Sequence, residues 1–284
     1  MIAHDTAARV FVIGAGKAGR ALAHAMRVGG VEVVGLHGRR PDHGITSGAW
    51  PATVALANVV LVTVRDAELD GVLRELRSAA ALARGTVVLH ASGTAEPQAL
   101  DELRTDGHPG GTFHPLLPLT DPTRATEQLR RAWIGIDGDA GARAVSRGLA
   151  AAIGARVLEI PAGAKASYHA AAVIASNFPV VLLALAARVL TQAGVDEEVA
   201  RGALATLMTA AAENASASAP SAALTGPVAR GDVETVRAHL AALSETPQVL
   251  QVYRVLSREA IPLAESGGAN PLQLAQLRRA LDER

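Results

Sequence analysis

The sequence predicts two domains: an α/β domain built on a mainly parallel sheet over residues 1–160, and an all-α domain over 161–284. Three observations carry this. Short β-branched runs alternate with amphipathic segments through the first half, no strand pattern follows Pro161, and the 284 residues exceed a typical single domain of about 100–200 residues.

The first strand is expected at 9–13, a β-branched run that ends in Gly14-Ala15-Gly16-Lys17-Ala18-Gly19. A helical pattern over 20–28 and a second strand at 31–37 complete a βαβ unit of about 30 residues. Continuous apolar runs at 59–64 and 86–90, separated by an amphipathic segment at 67–81, extend the alternation, as strands buried on both faces of a parallel sheet do. Weaker strands are expected at 133–136 and 156–160, flanking a helix over 140–153 for which Asp139 is the N-cap. Helices are expected at 162–192, 196–214, 233–244, 247–266 and 271–282. Asp232, Thr246 and Asn270 cap three of them, the last two followed by a proline that needs no donor. The Ala/Ser-rich stretch 214–223 reads as a loop.

Composition excludes several function classes. Lys+Arg and Asp+Glu both number 27, with no basic stripe or acidic tail, so neither nucleic acid nor a charged membrane surface is an expected partner. A small-molecule substrate is. The chain has no cysteine, which removes disulfides, thiolate metal sites and a thiol nucleophile, and fits a cytoplasmic setting. Residues 1–9 lack the apolar core of a secretory signal. The most apolar stretch, 170–187, is interrupted by Ser176, Asn177 and Pro179, so a buried or interface helix is expected rather than a bilayer span of about 20 apolar residues. Aromatic residues make up only 2%, which permits close helix packing and suits a homodimer through the helical domain.

The glycine pattern carries the first functional reading. Gly14 makes a tight turn, Gly16 lets a pyrophosphate approach the backbone, and Gly19 lets helix pack on strand, as in a Rossmann dinucleotide site. The helix that follows presents free N–H groups to the phosphates, with Lys17 and Ala18 in its first turn. An NAD-preferring unit would place a carboxylate after the second strand; here the chain reads His37-Gly38-Arg39-Arg40. Arg39 and Arg40 can grip a 2′-phosphate, so NADP is the expected cofactor. Val64, at the end of the third strand, and Ser92, after the fourth, complete the cofactor-binding set.

The second reading concerns chemistry. Of the 27 basic residues only Lys17 and Lys165 are lysine. At 100° per residue, Lys165, His169, Ala172 and Ser176 share one stripe of the helix that opens the second domain, with Tyr168 and Asn177 beside it. Lys165 and His169 are the candidate catalytic pair, Lys165 donating a hydrogen bond or proton to a developing alkoxide and His169 orienting or relaying. Pro179 cannot donate to the Ala175 carbonyl, so the helix is expected to kink or restart near Ser176. His90-Ala91-Ser92-Gly93 lies at the carboxyl end of a parallel strand, where ligands of open α/β sheets bind. Phe113-His114-Pro115-Leu116 reads as a proline-stiffened loop carrying a histidine. Leu224-Thr225-Gly226-Pro227 leads into a helix with Arg230 available for a carboxylate and Asp232 as its cap. Ser92, His114, Ser176, Asn177, Thr225 and Arg230 are thus the candidate substrate-binding residues. No zinc spacing, GxSxG elbow or Walker loop is present, so no metal is expected and hydrolase and kinase chemistry are excluded on motifs.

Taken together, GxGKAG, HASG, FHPLLP, Lys165-x-x-Tyr168-His169 with Ser176-Asn177, and LTGPVARGD resemble a bacterial family of Rossmann-like proteins with a C-terminal domain of unknown function. That family is similar to ketopantoate reductases, pyrroline-5-carboxylate reductases and β-hydroxyacid dehydrogenases. The resemblance implies a helical domain of the 6-phosphogluconate dehydrogenase C-terminal type that contributes substrate groups and dimerises, and reduction of C=O or C=N with a nicotinamide. In ketopantoate reductases and β-hydroxyacid dehydrogenases a catalytic lysine begins the helix and an asparagine follows four residues later; Lys165 matches the first, and His169 stands in the second place. The Pro-Gly-Gly-Thr-Thr element of pyrroline-5-carboxylate reductases is missing, and Arg65-Asp66 stands where the family more often has proline. The resemblance therefore implies an NADPH-dependent reductase of a small 2-oxo acid, with imine reduction and a non-catalytic NADP sensor as alternatives.

Overall fold

In the computed structural model, which describes residues 7–119 and 122–283, the first half forms the expected alternation. Strands β1 (Arg9–Ile13), β2 (Glu32–His37), β3 (Val59–Val62), β4 (Val87–His90), β5 (Gly110–Pro115), β6 (Trp133–Gly138) and β7 (Arg156–Glu159) make one sheet in the order β2-β1-β3-β4-β5-β6-β7. Every neighbouring pair is parallel except β5 and β6. Helices α1 (Lys17–Val28), α2 (Asp66–Ser78), α3 (Asp101–Thr105), α4 (Pro122–Leu129) and α5 (Ala140–Ala152) connect them. The fold is thus a mainly parallel Rossmann-type sheet followed by a helical region.

Side chains alternate across the sheet, and both faces are covered. Val10, Val12 and Leu61 pack with Leu22 and Met26 of α1 and Leu149 of α5 on one side. Phe11, Ile13, Val60 and Val62 pack with Leu69, Leu73 and Leu76 of α2 on the other. This two-sided burial is why β1, β3 and β4 read as unbroken apolar runs.

Four local expectations are corrected. Phe113-His114-Pro115 is not a loop but the end of β5; the strand opens on Gly110-Gly111 and ends on proline, residue types depleted in strands, which hid its pattern. Asp139 precedes α5 but makes no side-chain cap; its Oδ2 accepts instead from the Gly110 N–H at 2.8 Å and Arg104 Nε at 3.0 Å, tying α3 to the start of β5. The stretch 214–223 is mostly helical, because α7 (Glu197–Ala217) runs on and α8 (Pro220–Ala223) restarts on a proline. Thr246 precedes its helix without capping it and donates to the Leu243 carbonyl at 3.1 Å. Asp232 and Asn270 do cap, accepting from Thr235 N–H and Leu272 N–H.

The chain divides into two compact units, Met1–Ser176 and Asn177–Arg284, whereas the sequence put the boundary where the strands end, at 160/161. The division falls within α6 (Lys165–Gln192), whose first turns are bound by side chains into the sheet unit. Helix α6 runs unbroken through Pro179, so the expected restart near Ser176 does not occur. It is long and apolar enough to cross a membrane by length and composition, and its most apolar window, with mean hydropathy 2.1, is not buried within the chain. Residues 1–6, over which the absence of a leader was read, lie outside the described residues. In the second unit α9 (Pro227–Arg230), α10 (Val233–Ala242), α11 (Pro247–Ser266) and α12 (Pro271–Asp282) enclose a small core of Val236, Ile261, Leu274, Leu277 and Leu281.

Candidate cofactor and active site

The glycine turn is built by steric necessity. Gly14 has φ +108°, and a Cβ there would lie 2.7 Å from the Thr63 backbone; a Cβ on Gly19 would lie 1.8 Å from the Gly14 carbonyl oxygen. Helix α1 therefore packs directly on the turn. Around Gly16, by contrast, a Cβ would meet nothing within 4 Å. Gly16 is the N-cap, no side chain caps α1, and no acidic residue lies in its first turn. The first-turn N–H groups consequently face open space with the positive end of the helix dipole behind them, which suits a pyrophosphate. Lys17 is exposed and Ala18 partly buried in that turn.

Arg39 and Arg40, just past β2, are both exposed. Arg39 Nη1 donates to Glu68 Oε1 at 2.9 Å, and Arg65 Nη2 donates to the same oxygen at 2.5 Å. Val64 is partly buried and packs on the α2-side core.

A second polar assembly lies at the carboxyl ends of β4 and β5. Lys165 has no exposed surface; its Nζ donates to the Ser92 carbonyl at 2.9 Å and to Thr112 Oγ1 at 3.3 Å. Thr112 Oγ1 is in turn 3.4 Å from His90 Nε2. The backbone N–H of Lys165 donates to Glu96 Oε1 at 3.1 Å, so a carboxylate begins α6. One helical turn on, the Tyr168 hydroxyl lies 2.7 Å from His114 Nδ1, and the His114 and His169 rings are 6.4 Å apart. Two glycines admit these rings. A Cβ on Gly93 would lie 2.5 Å from His169 Nδ1 and 3.0 Å from His114 Nε2, and one on Gly135 would lie 2.5 Å from the Tyr168 oxygen.

Burial dominates the electrostatics. It pushes His90 down to about 3 and His114 down to about 4, with the nearby Lys165 ammonium adding to both. Burial also lowers Lys165, opposed by the carboxylates of Asp137, Glu96 and Asp66, and raises Tyr168 to about 12. Near neutral pH, His114 is therefore a neutral imidazole and Tyr168 a protonated phenol. When the phenol donates to Nδ1, the imidazole proton sits on Nε2. Asp137 is raised by burial, and neither of its carboxylate oxygens has a hydrogen-bond partner among the described residues. Burial acts in the same upward sense on Asp66, but contacts from Thr94 and Ser92 outweigh it and hold that carboxyl below its usual range.

The structure brings Lys165, His169, Ser92 and His114 together. The Ser92 hydroxyl is turned into its own loop, accepting from the Thr94 and Ala95 N–H groups at 3.2 and 2.9 Å. Ser176 is partly buried at the last residue of the first unit. Asn177, Thr225 and Arg230 belong to the second unit and are exposed there. Thr112, Asp137, Glu96, Asp66 and the two glycines were missed. Thr112 was legible in principle: it shares a face with His114 two residues on, but only once β5 is recognised as a strand. No cluster of potential metal ligands occurs among the described residues.

Comparison with known families gives one match. Residues 132–260 match the family model described as a domain of unknown function (DUF2520). The resemblance drawn from the motifs is borne out over that span. A comparison with curated proteins finds no match. Among solved structures, protein TM1727 from Thermotoga maritima is similar, with 25% identity, TM-score 0.71 and coverage of 90% of this chain and 98% of that one. Protein BF3122 from Bacteroides fragilis, assigned as an NADP oxidoreductase, has 21% identity and TM-score 0.67 over 90% and 98% of the two chains. A reductive aminase from Aspergillus terreus, in complex with NADPH and ethyl-5-oxohexanoate, has 19% identity and TM-score 0.61 over 95% and 98%. These likenesses are likenesses of fold.

Proposed function

We propose that the chain is an NADP-dependent oxidoreductase that reduces a C=O or C=N bond of a small molecule. The observation that carries this is the enclosure of Lys165 with Thr112, His114 and Tyr168 at the carboxyl ends of β4 and β5, in the same compact unit as the glycine turn. The fold shared with an NADP oxidoreductase and an NADPH-bound reductive aminase supports it. Gly14, Gly16, Lys17, Ala18 and Gly19 would hold the pyrophosphate, Arg39 and Arg40 the 2′-phosphate, and Val64 and Ser92 would border the rest. When bound, NADPH supplies the hydride.

The chain's own groups manage the proton. Lys165 was read from the sequence as the donor to the developing alkoxide. With no exposed surface and two donors engaged, its ammonium acts one step behind, polarising Thr112 and adding to the burial that keeps His90 and His114 neutral. Tyr168 is partly buried rather than enclosed, and with the His114 proton on Nδ1, donated to the phenol oxygen, its own O–H is free and is the better-placed donor. His169 orients or relays. A positioned acid of this kind contributes about 10²–10⁴-fold in rate.

In the first reading the substrate is a small 2-oxo acid. The second reading, imine reduction, is favoured by a specific observation. Asp137, Glu96 and Asp66 all act electrostatically on the one buried ammonium, a balance that suits a protonated C=N group. One assay separates them: 2-oxo acids and cyclic imines presented in parallel with NADPH. Turnover of oxo acids alone supports the first reading and of imines alone the second. Tight NADPH binding with no turnover of either would replace both with a cofactor sensor. A homodimer through the apolar face of α6, where Ile174, Phe178, Val180 and Val181 are exposed, and a cytoplasmic location complete the proposal; light scattering that returns a monomer would remove the dimer.

A further inference from the structure

The two guanidiniums on Glu68 come from opposite sides of the glycine turn. Arg39 follows β2 and Arg65 follows β3, and the sheet order places β1, which ends in that turn, between these two strands. Both arginines are largely exposed, with side-chain exposures of 77% and 73%, yet they converge on one carboxylate oxygen in the first turn of α2. Two charged forks from two separate loops closing on one oxyanion is the donor set that a phosphate monoester requires.

We propose that Arg65 is a second ligand for the 2′-phosphate of NADP(H), and that Glu68 competes with that phosphate for Arg39 and Arg65. Exchange between the two oxyanions is cheap because exposed ion pairs contribute little and are screened by salt. Glu68 thereby sets the strength of cofactor selection: it keeps both arginines gathered at the adenosine end while lowering the net attraction. A nucleotide lacking the 2′-phosphate gains nothing from either arginine. This inference rests on the NADP reading above and names a specificity residue that the sequence did not assign.

The test is calorimetric titration of the full chain and its Arg65→Ala and Glu68→Gln variants with NADPH, NADH, 2′,5′-ADP and ADP. Arg65→Ala is expected to weaken NADPH and 2′,5′-ADP about tenfold or more, the loss of one charge-assisted contact, while NADH and ADP stay within about twofold. Glu68→Gln is expected to tighten the 2′-phosphorylated pair and leave the others unmoved. An unfolded variant cannot mimic that gain. If Arg65→Ala changes all four probes equally or none, or if Glu68→Gln fails to tighten the 2′-phosphorylated pair, the inference is overturned while the NADP reading stands. A wild-type chain that binds neither NADPH nor NADH overturns both.

Discussion

The carboxyl edge of one sheet carries two sites made in opposite ways. Beyond β1 the glycine turn is backbone held open: Gly16 faces empty space, and the first turn of α1 lacks any side-chain cap. Beyond β4 and β5 the site is side chain held shut. Lys165 is fully enclosed, His90 has no exposed surface, and the rings of His114 and His169 crowd against Gly93. An exposed backbone cradle can receive an anion from water at little desolvation cost. The neutral imidazoles of His90 and His114 beside a buried ammonium are suited to managing protons.

The sharpest way to break this contrast is to damage the cradle alone. Gly19→Ala drives a Cβ to within 1.8 Å of the Gly14 carbonyl oxygen, against backbone that cannot yield without moving α1. NADPH affinity is expected to fall by about 100-fold or more, and overpacking of this kind also costs about 1–3 kcal/mol of stability. Titration and thermal melting read the two effects separately. Affinity retained within about threefold would show that the turn is ordinary glycine-rich backbone.

Turning to the enclosed site, Tyr168→Phe keeps the ring over Gly135 and removes only the hydroxyl that meets His114. On the proposed chemistry kcat/KM falls about 10²–10⁴-fold with little change in stability. Lys165→Met should do the reverse in emphasis. It leaves the Ser92 carbonyl and the Thr112 hydroxyl without their buried donor, and an unsatisfied buried polar group costs about 1–3 kcal/mol, seen as a lower urea midpoint. If the lysine variant is stable and inactive while the tyrosine variant is active, Lys165 is itself the proton donor and the order argued here is inverted.

The same contrast explains what the sequence revealed. The glycine turn is local: turn, spacing and following helix lie within 9–28, so Gly14, Gly16 and Gly19 could be named from residues alone. Strands β1, β3 and β4 announced themselves because two-sided burial demands unbroken apolar runs. The enclosed site is assembled from β4, β5, β6, the loop at Glu96 and the first turn of α6, whose members lie far apart in the chain. Lys165 emerged through its rarity, its place on the helix stripe and the family resemblance, and its burial could not be read at all. Thr112 and His114 were split from the sheet because glycine and proline disguised β5, and Asp137 gave no local signal.

The smallest expected effect concerns protonation. His90 and His114 titrate near 3 and 4 in the fold, against an ordinary 6.5. Above 6.5 both states carry these two imidazoles neutral, and the contribution of the pair to the pH dependence is flat. As pH falls below 6.5 the unfolded chain takes up protons that the fold refuses, so unfolding is favoured progressively until the folded values are reached. The upper part of this window is diagnostic, because the carboxylates held low by arginines, such as Asp42 and Asp106, exert their effect only near and below their ordinary 3.8. Asp137, raised by burial, opposes the loss at the acid end. Urea midpoints should therefore decline smoothly between pH 6.5 and 5, and His114→Phe should flatten part of that slope. A midpoint that holds constant across this interval would mean that water reaches the imidazoles, and the distinction between an open cradle and a closed proton site would lose its physical basis.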